Sequence, residues 1–385
     1  MTASERYVSM LCEKSFLPFW SYSSPLGKKG KELCDVLVMC GDYILIISVK
    51  DITISNHSDI SVQYERWYKR AISASFDQLY GAERFLTTVE EIVLSDRKTT
   101  VKLPPKNKRK IYRLAIAFGG DKNFPIEQGC SEYGFIHVFD EESTFTVINE
   151  LDTFPDFINY LIAKEKFAKN KRISVYKEVD FLALYLKTAF EFDLEGTPDS
   201  IVLDKGLWDE YVKSNEHSKW KNDIKVSFIW DEIVTRLFEI HVNNQITSSK
   251  RNELDTATRL IALESRNNRI TLGKAMNDAI TNRKVRSRII KLKTETNHAY
   301  VYLKIDSKNW EYKEKELELR CLIARELSSS TPVIIGIAIG VDSNNNLIFD
   351  FAYFDIPELN KQAIDRIKTA KNELGLFKNS QSNSV

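Results

Sequence analysis

Three polar residues, Asp35, Ser48 and Lys50, border or interrupt two apolar runs, 36–40 and 43–49, where charge is out of place. Gly41-Asp42 separates the runs, and a glycine at the first central position suits a type II′ turn, so the stretch predicts a β-hairpin. With the turn centred there, Cys40 opposes Tyr43 and, counting outward, Asp35 opposes Ser48. Side chains alternate along a strand, which puts Lys50 on the face of Ser48 and diagonal to Asp35. Cys34, Val36, Val38, Ile47 and Val49 take the other face. Both faces are largely apolar, as in the middle of a covered sheet, where a charge is costly unless paired. A carboxylate beside an ammonium suits phosphodiester hydrolysis: the carboxylate holds a divalent metal and the cation offsets developing negative charge.

The elements that must position this pair are legible on both sides of it. Tyr7, Met10, Leu11 and Cys12 recur at helical spacing over about 7–17, with Glu13 near the end. A long helical pattern over about 62–93 has Tyr64, Tyr68, Ile72, Phe76 and Leu79 as its apolar stripe. Its solvent side shows Arg66, Lys69 and Arg70 around Trp67, and Asp77, Gln78, Tyr80 and Glu83 lie further along. The basic loop Lys106, Lys108, Arg109, Lys110 precedes an expected strand over 111–118. Strands over 135–139 and 145–147 and a helix over 154–168 complete an α/β domain placed at residues 1–170. Residues 171–385 read as a second domain, helix-rich over 181–192, 208–213, 228–241 and 253–280, with breaks at Gly196-Thr197-Pro198 and Asn243-Asn244. From Tyr300 the pattern returns to α/β, with strands over 299–305, 332–341 and 347–353 and a helix over 313–327.

Composition narrows the classes. The 385 residues are 43% hydrophobic, which argues against disorder, and 55 basic residues balance 54 acidic ones. Without a global basic field, contact with nucleic acid must rest on local patches. Those are Arg66, Lys69 and Arg70, the loop of Lys108 and Arg109, and the acid-free run Arg283, Lys284, Arg286, Arg288, Lys291 and Lys293. Five cysteines without a Cys-x-x-Cys pair suit a reducing compartment and no zinc site. No targeting segment opens the chain and no apolar run nears eighteen residues, so a cytoplasmic protein without a membrane partner is expected. Gly336 and Gly340 lack the Lys-Ser/Thr of a phosphate loop.

The arrangement resembles the PD-(D/E)XK, or restriction-endonuclease-like, nuclease superfamily over roughly residues 5–90. That pattern has a helix with Glu, a hairpin whose first strand begins with a metal-binding Asp, and a second strand ending in acid-x-Lys. Glu13 corresponds to the helix acid, Asp35 to the metal aspartate and Lys50 to the lysine. Gly30-Lys31-Glu32-Leu33-Cys34-Asp35 is similar to the Gly-x-Glu-x-x-Asp lead-in of many members, and Gln78-Leu79-Tyr80 to the Gln-containing motif of several branches. The resemblance implies an N-terminal mixed sheet flanked by helices, plus a C-terminal helical and α/β region that recognises or regulates. It further implies a Mg²⁺- or Mn²⁺-dependent endonuclease acting on DNA, with RNA as the second candidate, in a prokaryotic defence effector. Asp35, Glu13 and the Val49 carbonyl would hold the metal, Lys50 would activate water, and Ser48 and Gln78 would complete the site. The C-terminal half would meet a partner protein or a second copy.

One position departs from the pattern. Ser48 stands where an acid belongs, and Asp51 falls on the opposite face from Lys50, so alternation denies it the vacant role. Two readings stay open: an active nuclease, and a nuclease-fold module that binds nucleic acid or scaffolds a partner without catalysis.

Overall fold

Gly41-Asp42 forms the turn from which the first sheet grows. Gly41 sits at φ +59°, and the ladder runs from Cys40–Tyr43 out to Val36–Ile47. The Asp35 N–H extends it to the Ile47 carbonyl at 3.1 Å, which leaves Asp35 opposite Ser48. The computed structural model describes residues 1–377 except 18, 122–123, 125–128, 132–133, 171, 176, 189–199, 204, 243–247, 283, 293–296, 329 and 345. The expected breaks at Gly196-Thr197-Pro198 and Asn243-Asn244, and the basic residues Arg283 and Lys293, lie outside the described residues.

In chain order the first elements are α1 (Ala3–Phe16), β1 (Ser21–Ser23), β2 (Val36–Cys40), β3 (Tyr43–Asp51), α2 (Ile60–Tyr68) and α3 (Ala74–Leu86). Then come β4 (Glu91–Val93), β5 (Thr100–Lys102), β6 (Lys110–Phe118), β7 (Gly129–Ser131), β8 (Gly134–Asp140), α4 (Glu141–Glu150), α5 (Phe154–Asn170), β9 (Arg172–Val175) and α6 (Glu178–Lys187). After β10 (Ser200–Leu203), α7 (Leu207–Val212) and α8 (Asn215–Asp223) follow α9 (Phe228–Val242), α10 (Ser248–Ala262), α11 (Arg266–Thr281), β11 (Ser287–Ile290), β12 (His298–Lys304), α12 (Lys313–Leu327), β13 (Val333–Val341), β14 (Leu347–Asp355) and α13 (Lys361–Glu373). The protein is thus a mixed α/β protein, with a helix-flanked mixed sheet first and a helical and α/β region after it. Two compact units divide the chain, Met1–Lys219 and Trp220–Val385.

The first unit is built on a six-stranded sheet in the order β1-β2-β3-β6-β8-β7. β3, β6 and β8 are parallel, so their carboxyl ends share one edge, with Lys50, Ala117 and Asp140 in register across it. One face shows Leu37, Met39, Ile44, Ile46, Ala115 and Val138 to Ile72, Leu79 and Leu86 of the helical layer. Each of the Leu, Ile, Val and Met side chains contributes roughly 1.5–3 kcal/mol on burial. The opposite face meets α1, whose Phe16 packs on Phe154 and Phe157 of α5.

Several expectations change in the folded chain. The long helix over 62–93 is interrupted by a π segment, Lys69–Ser73, and ends at Leu86. There Thr87 and Thr88 donate their hydroxyls back to the Arg84 and Phe85 carbonyls, and the chain turns into β4 instead. The strand expected over 145–147 is part of α4. Asp140 and Ser143 cap that helix reciprocally, and this outweighs a three-residue apolar alternation. The helix expected over 253–280 is two, because Ser265 accepts the Asn268 N–H and starts α11 afresh.

The first unit also runs past Asn170. Lys164 of α5 donates to Glu178 of α6 at 2.5 Å, and Tyr160 donates to the other Glu178 oxygen. Asp180 of α6 then accepts the Trp208 N–H at 2.9 Å, tying in α7. In the second unit the four-stranded sheet β11-β12-β13-β14 joins β12 and β13 in parallel through α12. Its core includes Val301, Leu303, Leu317, Cys321 and Ile334. Asp231 binds Arg266 at 2.7 Å and Arg269 at 2.5 Å, fastening α9 to α11. Among the described residues no helix is long and apolar enough to cross a membrane.

His137, fully buried in β8, yields a pH test. Burial pushes its imidazole down to about 4, against the pull of the Glu165 carboxylate 3.2 Å away, so the contact is a hydrogen bond of a neutral ring at pH 7. The unfolded chain takes up this proton near pH 6.5 and the folded one only near 4, so stability is full above about 6.5 and declines as pH falls through that window. Urea midpoints between pH 6.5 and 4.5 should therefore fall more steeply for wild type than for His137→Gln, by at most about 1.4 kcal/mol per pH unit. Equal slopes contradict the assignment.

Candidate active site

Asp35 is 4% exposed and its Oδ2 accepts the Val49 N–H at 2.6 Å. The same oxygen lies 3.6 Å from Lys50 Nζ, whose side chain is 28% exposed. Lys50 Nζ also donates to Gln78 Oε1 at 2.8 Å, and that amide oxygen accepts the Ser48 hydroxyl at 2.8 Å. Ser75 stands 3.2 Å from Ser48 Oγ and donates to the Ala71 carbonyl at 2.7 Å. The ammonium is thus held between a carboxylate and an amide oxygen, with its outer side wet. Burial raises the Asp35 carboxyl above its ordinary range; the Val49 N–H and Lys50 oppose this, while Glu5 and Glu32 add to it.

The local fold explains each placement. β2 reaches no further than Val36, so Asp35 sits at the mouth of the sheet, where β3 continues alone beside β6. The π segment adds one residue to the turn before α3, and Trp67 before it and Gln78 after it both face the sheet. Trp67 donates its indole N–H to the Phe118 carbonyl, pinning α2 to the end of β6.

The structure brings Asp35, Ser48, Lys50 and Gln78 together as the sequence suggested, but it separates others from them. Ser48 is completely buried and serves to hold Gln78, so its hydroxyl does not meet a substrate. Glu13 accepts the Ser9 hydroxyl at 3.1 Å. It lies on α1 two turns beyond Glu5, about 12 Å along the helix axis toward the hairpin end. Glu5, one turn from the helix start, adds to the upward push on the Asp35 carboxyl, and its own Oε2 accepts the Thr2 N–H at 2.7 Å and lies 3.8 Å from the N-terminal ammonium. The signal for it was present: Thr2 and Glu5 form a capping box, which starts the helix at Ala3 rather than near Tyr7.

The remaining acids are spoken for or turned away. Asp51 accepts the Ser4 hydroxyl on the α1 side. Glu83 pairs with Arg113 at 3.1 Å, and Asp77 is exposed. Arg66, Lys69 and Arg70 are exposed on the helical segment that follows the β3 carboxyl end. Lys108 and Arg109 precede β6 and therefore sit at the opposite end of the sheet, beside Tyr43 rather than Lys50. Arg109 is moreover engaged with the Pro104, Leu86 and Val89 carbonyls and is not available to a phosphate. Tyr80 receives the Arg84 guanidinium over its ring at 5.3 Å.

The residues present fit a small divalent cation. Glu5 and Glu32 add to the upward push on the Asp35 carboxyl, which a bound cation would counter as Lys50 already does in part. Oδ1 of Asp35 has no hydrogen bond or ion pair among the described residues. Mg²⁺ keeps several waters and takes one or two carboxylates together with substrate phosphate, so it needs no protein cage. No group of three His, Cys, Asp or Glu side chains that could hold a metal ion occurs among the described residues.

The Ser48–Gln78–Lys50 contact is testable by a double-mutant cycle in urea. Ser48→Ala and Gln78→Leu should each destabilise, and their effects should fall short of additivity by about 1 kcal/mol. Strict additivity contradicts the contact.

No protein-family model, no curated protein and no solved structure matches the chain. The functional reading rests on the site itself.

Proposed function

We propose that the first unit hydrolyses phosphodiester bonds in nucleic acid, DNA before RNA, with a Mg²⁺ or Mn²⁺ ion. The observation that supports it is Lys50, partly exposed and held 3.6 Å from Asp35 and 2.8 Å from Gln78 at the carboxyl end of parallel strands. In this reading Asp35 and Glu5 hold the ion, the Val49 backbone fixes the Asp35 carboxylate, and Glu13 takes no part. The ion, when bound, supplies charge neutralisation and activation of water. Lys50 stabilises the negative charge that gathers on the phosphoryl oxygens, and it is useful there because it is already oriented before the substrate arrives. Gln78 prevents that ammonium from swinging into solvent, and Ser48 prevents Gln78 from rotating.

Ser48, neutral and buried where the nuclease pattern has an acid, favours a second reading: a module that binds nucleic acid without cutting it. Plasmid, single-stranded DNA and RNA incubated with Mg²⁺ or Mn²⁺ separate the two. Under the leading reading wild type cleaves, Asp35→Asn and Lys50→Met each lose about 100-fold or more in rate, Glu5→Gln is impaired and Glu13→Gln is not. Cleavage unchanged in Asp35→Asn or Lys50→Met contradicts the site. Salt-sensitive binding by wild type without cleavage establishes the second reading.

A further inference from the structure

The chain that enters the site carries a lysine knuckle. Between β1 and β2, at the end of the sheet where Asp35 stands, residues 24–35 fold into a closed loop. The Ser24 N–H reaches the Asp35 carbonyl at 2.9 Å, the Leu33 N–H reaches Pro25 at 2.8 Å and the Gly27 N–H reaches Lys31 at 2.7 Å. The Leu26 N–H reaches the Val93 carbonyl of β4 at 2.8 Å, and Pro25 and Leu33 are buried beneath. The tip is a single 3₁₀ turn, Lys28–Gly30, followed by Lys31.

Two observations set this turn apart. Lys28, Lys29 and Lys31 are all exposed, and none of their side chains has a hydrogen bond or ion pair among the described residues. Lys29 is also left-handed, at φ 58° and ψ 27°, with Gly30 beside it at φ +70°. A residue with a Cβ is strained there and a glycine is not, so the lysine side chain is kept at a conformational cost that folding does not require.

We propose that Lys28, Lys29 and Lys31 grip the sugar-phosphate backbone of a nucleic acid as it passes the Asp35–Lys50 site. The inference rests on the nuclease-type reading for its choice of partner, and it places the contact on the Asp35 side of the site. Three ammonium groups on a rigid, anchored turn form a compact cationic edge, and binding a polyanion there releases condensed counterions. Arg66, Lys69 and Arg70, on the helical segment that follows β3, are exposed as well.

The experiment measures binding of full-length protein to a fluorescent DNA duplex in EDTA across 50–300 mM salt (about this range spans the useful screening lengths). Lys28→Ala/Lys29→Ala/Lys31→Ala should weaken binding and make the log–log salt slope shallower by about 0.9 for each lysine that met a phosphate. Lys29→Gly separates function from folding, because it should leave the urea midpoint equal or higher while weakening binding several-fold. An unchanged slope and affinity in the triple variant overturns the proposal, as does a Lys29→Gly protein that binds like wild type. So does lysine-dependent capture by anionic phosphatidylserine vesicles when the duplex is not bound. If wild type binds by these lysines yet never cleaves, the lysine contact stands and the catalytic reading falls. If cleavage depends on Asp35 while the lysines change nothing, the reverse holds.

Discussion

The amide oxygen of Gln78 is the point on which the site depends. It accepts from Ser48 at 2.8 Å and from Lys50 at 2.8 Å, and so it joins a hydroxyl in the core to an ammonium at the surface. An ammonium on a free lysine stem loses much rotamer entropy when it is fixed. Here that cost is met in folding, by contacts that also pack α3 on β3. The Asp35 carboxylate is treated in the same manner: the Val49 N–H fixes Oδ2, and Oδ1 has no hydrogen bond or ion pair among the described residues. Both groups are therefore oriented before any ligand arrives, which is the condition under which an electrostatic site lowers a barrier efficiently.

Parallel strands set where this happens. β3, β6 and β8 run parallel and end at one edge, with Lys50, Ala117 and Asp140 in register there. The antiparallel β2 enters at the same edge, so Asp35 at its beginning meets Lys50 near the end of β3. The lysine turn that leads into β2 and the π segment that follows α2 then belong to one neighbourhood for a topological reason. Lys108 and Arg109 are excluded from it for the same reason, since they precede a strand instead of following one.

How much of this was legible follows from the range of each signal. The hairpin and the shared face of Asp35, Ser48 and Lys50 came from a turn and a period of two, both local, and the folded chain keeps that register. Gln78 was visible only as a motif in a long helix. Its contact with Lys50 depends on the π segment and on how α3 lies across β3, which no periodicity encodes. Glu13 was placed near the helix end because the apolar spacing begins at Tyr7, whereas the helix begins where Thr2 caps it. The strand expected at 145–147 failed because the Asp140–Ser143 cap and tertiary burial of Val147 outrank three alternating residues. The first unit outran Asn170 because Lys164 and Glu178 find each other only in three dimensions.

The neutral residue at Ser48 remains the feature that sets this site apart, and Asp35 is the residue on which the proposed metal rests. A crystal soaked in Mn²⁺ and recorded at a wavelength where manganese scatters anomalously tests that proposal directly. The account predicts one anomalous peak about 2.1–2.3 Å from an Asp35 carboxylate oxygen, weakened or lost in Glu5→Gln crystals. A soaked crystal with no peak at Asp35, or with peaks only at unrelated surface carboxylates, contradicts it.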